Sequence, residues 1–186
     1  MLILASSSPT RAMILRNFGI NFIQKNSDFD EENLAETDAK DFVYAAAKGK
    51  LLSAVKLYGK DDPISPILAA DTVVSARGKL LRKAKDIDDA REKLLTQSGA
   101  KTSIITCCIL LLSDRCVIDI SETLYEFDIF DPLDLDRYLL SGDWRGKAGA
   151  IMVETFAKKY IKSVSGFESC AMGLTIENLA EYLKGV

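Results

Sequence analysis

The chain has 186 residues, 48% of them apolar, enough to bury one sizeable core, so a single domain spanning residues 1–186 is expected. Its 24 basic and 27 acidic side chains leave a formal charge of −3, so no global basic field recruits a polyanion and phosphate chemistry must rest on a local cluster. Histidine is absent, which excludes Ser-His and Cys-His nucleophiles, His-ligated zinc and imidazole acid–base catalysis; bases are left to carboxylates and lysines, and a catalytic metal to a hard cation bound by oxygen.

Residues 1–5 read as a strand, and the serines after it lead into a helix with Ser8 as N-cap, Pro9 at its first position and Gly19 past its end. The N-terminus carries neither the basic segment of a signal peptide nor an apolar run long enough to span a bilayer, so a cytoplasmic protein without membrane contact is expected. INFIQ at 20–24 suits a second strand, and the acidic stretch Ser27-Asp28-Phe29-Asp30-Glu31-Glu32 a solvated loop. A long helix from Ala39 to Leu57 follows, then a loop at 59–66 and a buried strand, PILAADTVVSA, interrupted by Asp71 and Thr72. ARGKLL predicts a hairpin turn, and Asp86 caps a helix through Gln97 that Gly99 stops.

Two long strands, SIITCCILLL and CVIDISETLYEF, form an antiparallel hairpin about Ser113-Asp114-Arg115. Asp131-Pro132 open a helix ending at Gly142; IMVETF at 151–156 is strand-like; Thr175 caps a C-terminal helix with Leu179 and Leu183 inward. Cys107 and Cys108 are adjacent within a strand, Cys116 and Cys170 stand alone and no CxxC occurs, which suits reduced structural thiols. The mixture of strand–helix units with a hairpin predicts an α/β fold with a mixed, twisted sheet and flanking helices. No GxGxxG or Walker sequence is present.

Three features carry chemistry. ASSSPTR, residues 5–11, puts hydroxyls and Arg11 at a strand-to-helix junction, where free backbone N–H groups bind anions; the same residues also read as an ordinary helix cap. Asp71 is a charge inside an apolar strand, costly unless paired or bound to a cation, and so points to a site; the alternative is a turn carboxylate bonded to backbone. Lys48 in AAAKGK, Lys83 in LLRKAKD and Lys147 in RGKAGA stand beside small residues or turns that let a ligand approach, although each alone suits a solvated surface.

The order of these segments along nearly the whole chain resembles the Maf family. ASSSPTR is similar to that family's A-S-x-S-P-R-R, SDFDEE to its acidic loop, ILAADTVV to its G-A-D-T segment and LLRKAKD to its L-G-K-P-x-D. WRGKAGA is similar to its D-K-A-G-A, and AMGLTI to its V-x-G-L-P. The resemblance implies two lobes about a central cleft and hydrolysis of a nucleoside triphosphate, standard or modified, to the monophosphate and pyrophosphate with a divalent metal, Mg²⁺ or Mn²⁺. It implies Asp71 as the catalytic base and, with Glu31, as a metal ligand, and Ser6, Ser8, Arg11, Lys48, Thr72, Lys83, Lys147 and Glu154 as substrate-binding residues. It also implies a homodimer. A nucleotide-binding regulator of septum formation without turnover is the alternative, and a nucleic-acid partner is not expected.

The departures bear on substrate choice. Thr10 stands where the family has the first of two arginines, and Thr102 where it often has histidine; Arg82 and Ala84 replace a Gly and a Pro beside Lys83, and Phe167 and Cys170 depart from the motif before Gly173. Thr72 matches the pyrimidine-directed branch, which has Gln at the position of Glu154, whereas Glu154 matches the branch acting on methylated GTP, which has Gln after the catalytic Asp. These marks leave the base unassigned.

Overall fold

The computed structural model describes residues 1–31, 33–59 and 65–184. Glu32 and most of the loop expected at 59–66 lie outside the described residues. The sheet is built from β1 (Leu2–Ala5), β2 (Phe22–Lys25), β3 (Ile67–Ala76), β4 (Lys79–Leu81), β5 (Lys101–Leu111), β6 (Cys116–Phe127) and β7 (Ile161–Ser165). Its order is β2-β1-β3-β5-β6-β7, with β4 paired to the distal half of β3. β1 runs parallel to β2 and β3, and every other pairing is antiparallel. The α/β architecture with a mixed sheet is therefore the one the sequence predicts.

The helices are α1 (Pro9–Asn17), α2 (Ala39–Tyr58), α3 (Ile87–Gln97), α4 (Pro132–Ser141), α5 (Glu168–Ala171) and α6 (Ile176–Leu183). Most begin where an oxygen-bearing side chain satisfies the first-turn N–H groups. Ser8 Oγ accepts from Arg11 N at 3.3 Å, Asp38 from Lys40 and Asp41, Asp86 from Asp89, and Asp131 from Leu133 and Asp134. Thr175 precedes α6 but makes no capping bond: its ψ of 79° falls short of the extended values at Ser8, Asp38 and Asp131. No described helix is long and apolar enough to cross a membrane.

Because side chains alternate across a strand, β3 presents two different faces. Ala69 and Val73, with Ile105, Cys107 and Ile109 of β5, lie under the apolar stripe of α2 (Phe42, Val43, Ala46, Ala47, Leu51 and Ala54). Leu68 and Ala70, with Cys108 and Leu110, pack on the opposite side against Leu15 of α1 and Leu174 and Leu179 near α6. A further cluster joins Val74, Ile104 and Phe127 to α3, α4 and the 150–160 segment. The four cysteines are unpaired, and burial pushes the Cys108 thiol up to about 12, which makes it chemically inert at neutral pH.

The stretch 151–156 is not a strand. From Trp144 onward the chain turns repeatedly, with Lys147 N donating to Trp144 O, Ile151 N to Ala148 O and Ala157 N to Met152 O. Its apolar residues serve the core instead: Ile151 and Val153 are buried, and Phe156 stacks on Tyr138 at 4.3 Å and meets Phe130 edge-on at 5.1 Å. The last strand comes later, as β7, paired with the end of β6.

Candidate active site

A cavity of about 670 Å³ opens where β1, the start of α1, the middle of β3 and the turns at 145–148 converge. Ser6, Ser8, Arg11, Glu31, Asp71, Thr72, Lys83, Lys147 and Glu154 all line it. Lys48 does not line it: that side chain is exposed on α2, with its ammonium 5.8 Å from the Tyr44 ring. Lys50 takes its place in the cavity. Two residues along a helix is a rotation of about 200°, so Lys48 and Lys50 point in opposite directions. The apolar stripe of α2 was the available signal, since Lys50 follows Ala46 and Ala47 by four and three residues.

Asp71 is only 3% exposed and reaches under α2. Its Oδ1 accepts from Lys50 Nζ at 2.5 Å, and the same ammonium lies 2.6 Å from Glu31 Oε2. Glu31 in turn accepts from Lys83 Nζ at 2.5 Å, while its backbone carbonyl accepts from Arg82. Burial pushes the Asp71 carboxyl above its ordinary value and the Glu31 charge adds to the shift, against the opposing pull of Lys50 and Arg11. Glu31 goes the other way: burial acts to raise it, but Lys50 and Lys83 together prevail and hold it at about 2. Two neighbouring carboxylates with opposed shifts are the usual arrangement for dividing roles between an acid–base group and a permanent anion.

The two carboxylates share one cation position, now spanned by the Lys50 ammonium, and offer only oxygen, a donor set suited to Mg²⁺ or Mn²⁺. Among the described residues no group of three or more His, Cys, Asp or Glu could hold a metal. A divalent ion here would therefore complete its shell with water and ligand oxygens, as Mg²⁺ commonly does.

Thr72 faces the other side of β3. Arg11 donates to Thr72 Oγ1 and to Ser6 Oγ, both at 3.1 Å, and to the Gly173 carbonyl at 2.7 Å, and Thr72 pairs with Thr106 Oγ1 at 2.9 Å. Arg11 thus ties β1, β3 and the chain before α6 into one wall. Lys147 Nζ donates to Thr10 Oγ1 at 3.2 Å, which draws that lysine to the first turn of α1. Arg145, not anticipated from sequence, lines the rim with its guanidinium 4.8 Å above the Trp144 ring. Its place two residues before Lys147, beside Gly146, was the one available sign.

The acidic loop reaches the cavity because Phe29 lies against Gly49 of α2. A Cβ at Gly49 would come within 2.2 Å of the Phe29 ring. Gly49→Ala should raise the intrinsic stability of α2 by about 0.5–1 kcal/mol while displacing Phe29, and Glu31 with it, from the Lys50 ammonium. The expected outcome is a melting temperature that is unchanged or higher and an activity at least about fivefold lower, checked by thermal unfolding and steady-state rates on one preparation.

Relatives of known name match this sequence along nearly its full length. A relative from Nitratiruptor sp., named nucleoside triphosphate pyrophosphatase, is 54% identical over 186 residues, covering 99% of each chain. A protein of the same name from Helicobacter pylori is 42% identical over 183 residues, 98% of this chain and 95% of that one. Another from Campylobacter jejuni is 36% identical across 98% of this chain and its own full length. The profile of Maf-like proteins matches residues 1–186, and the chain belongs to that family.

Proposed function

We propose that the chain is a nucleoside triphosphate pyrophosphatase in which Asp71 is the general base. The observation that carries this reading is the buried Asp71 carboxylate at the floor of a cavity whose walls bring Lys50, Lys83 and Lys147 together. Relatives named for this activity match along nearly all of their length. Water attacks the α-phosphorus as the bond to the β-phosphate oxygen breaks, and Asp71 takes the proton that the water loses. Ser6, Ser8 and the first turn of α1 receive phosphate oxygens, Lys83 and Lys147 hold the departing pyrophosphate, and Arg11 keeps the wall in shape. A divalent cation held by Asp71 and Glu31 would neutralise charge on the phosphates.

The test is incubation of the purified protein with Mg²⁺ or Mn²⁺ and a panel of standard and modified triphosphates, with pyrophosphate and monophosphate quantified. Release of both in equal amounts supports the assignment. Triphosphate bound by calorimetry with no product in the same tube would replace it with a binding, regulatory role.

Glu154 lines the cavity, as do the apolar side chains of Ile104, Ile151 and Met172, against which a nucleobase would pack. An ionised carboxylate only accepts hydrogen bonds, so it favours base edges that donate N–H and disfavours those presenting carbonyl oxygens. Glu154→Gln supplies a donor, and the ratio of kcat/KM for carbonyl-edged over amino-edged bases should rise by about tenfold. An unchanged ratio across the panel would remove Glu154 from base selection.

A further inference from the structure

We infer that Gln97, at the far end of α3 and outside the cavity, is a positioning residue for the cavity lysines Lys83 and Lys147. This rests on the pyrophosphatase reading above. Gln97 is fully buried, and its side-chain amide donates to the Gly149 carbonyl at 2.7 Å and to Lys93 O at 3.0 Å. A long polar side chain ending a helix is seldom buried without a task, and its Oε1 has no hydrogen-bond partner among the described residues. The burial is therefore retained for the donor alone.

What that donor holds is the junction between the two lysine-bearing segments. Gly149 N donates to the carbonyls of Leu81 and Arg82, at 3.1 and 3.2 Å, and Lys83 forms an antiparallel bridge with Ala148. On its Cα side Gly149 meets β3: an added Cβ would lie 2.8 Å from Val74 Cβ, and φ is +60°. Backbone N, Cα and O of Gly149 are each fixed by a different element, and Gln97 fixes the O. One residue before the bridge partner Ala148 comes Lys147, so the Gln97 bond sets the spacing at which the two ammonium groups meet a diphosphate.

The consequence is specific to anion binding. With Gln97→Leu or Gln97→Met, similar in volume but without a donor, the Gly149 carbonyl loses its partner and the 147–149 turn is released. The dissociation constant for inorganic pyrophosphate, read by calorimetry, should rise about tenfold, and KM for triphosphate by a similar factor, while kcat changes less than about threefold.

A general structural weakening predicts otherwise, and a double-mutant cycle separates the two. In a Lys83→Ala/Lys147→Ala background, Gln97→Met should cause no further loss of pyrophosphate affinity; a full additional loss there would overturn the positioning role. Equal pyrophosphate affinity for the wild type and both folded Gln97 variants would also overturn it and leave the proposed activity intact. A wild type that neither hydrolyses triphosphates nor binds pyrophosphate would remove the activity, and this role with it. Should Gln97→Leu fail to fold, Gln97→Met, whose unbranched chain follows the same path, carries the measurement.

Discussion

Asp71→Asn is expected to reduce triphosphate hydrolysis by about a thousandfold or more without lowering the melting temperature. The amide keeps the shape of the side chain and a hydrogen-bonding oxygen, but it cannot take a proton at neutral pH and binds a cation weakly. Removing a charge that is 3% exposed also removes its desolvation cost, so the variant should be as stable as the parent or more so. Steady-state rates and thermal unfolding on the same samples decide the matter, and full activity in Asp71→Asn would end its assignment as base.

The pH dependence has a definite sign. Asp71 must be ionised to accept a proton, and burial raises its pKa, so the acid limb of kcat/KM should lie above the ordinary aspartate value near 3.8. For folding, a raised value means a stabilising contribution that is complete below the unfolded pKa and lost as pH rises through the folded one. Glu31 contributes in the opposite sense: its stabilisation is present above its unfolded value of 4.5 and is lost as pH falls through about 2. Stability measured against pH should therefore lose its alkaline-side decline at this site in Asp71→Asn and keep its acid-side loss.

Lys50→Met should be the other severe change. The ammonium is the shared partner of Asp71 and Glu31, and without it two carboxylates face each other in a site that is mostly closed to water. Breaking a buried pair by removing one partner costs about 3–5 kcal/mol unless the abandoned group takes up a proton. Asp71 is the group whose burial already favours the protonated form. Activity at neutral pH should fall at least about a hundredfold, and the acid limb should move upward. Because Mg²⁺ can neutralise the same carboxylates, it should raise the melting temperature of Lys50→Met more than that of the parent. Equal shifts in the two proteins would count against a shared cation position.

Where local chemistry decides the outcome, the sequence is readable. Ser8-Pro9, Asp86 and Asp131-Pro132 start their helices by satisfying the same orphan N–H groups in each case, and Gly142 ends α4 in the left-handed region at φ 78°. Asp71 stood out because one charge in an apolar strand demands a partner. The errors came where local pattern and tertiary demand part. Small neighbours recommended Lys48, but the rotation of α2 selects Lys50. The apolar run that opens 151–156 suits a strand, but Phe156 is needed by Tyr138 and Phe130 across a turn. The Gln97–Gly149 bond joins residues 52 apart, and no local pattern announces such a contact.

The two faces of β3 carry a consequence for how this protein can change over time. Asp71 serves the α2 side and its neighbour Thr72 the α1 side, so exchanges on one side leave the other side's contacts standing. Substitutions that retune which ligand fits can therefore arise at Thr72 and Val74, which line the cavity from that side, while the proton acceptor persists. Lineages cannot, however, gain or lose one residue within Ile67–Asp71, because that would exchange the faces and bring Ala70, on a gain, or Thr72, on a loss, beneath Lys50.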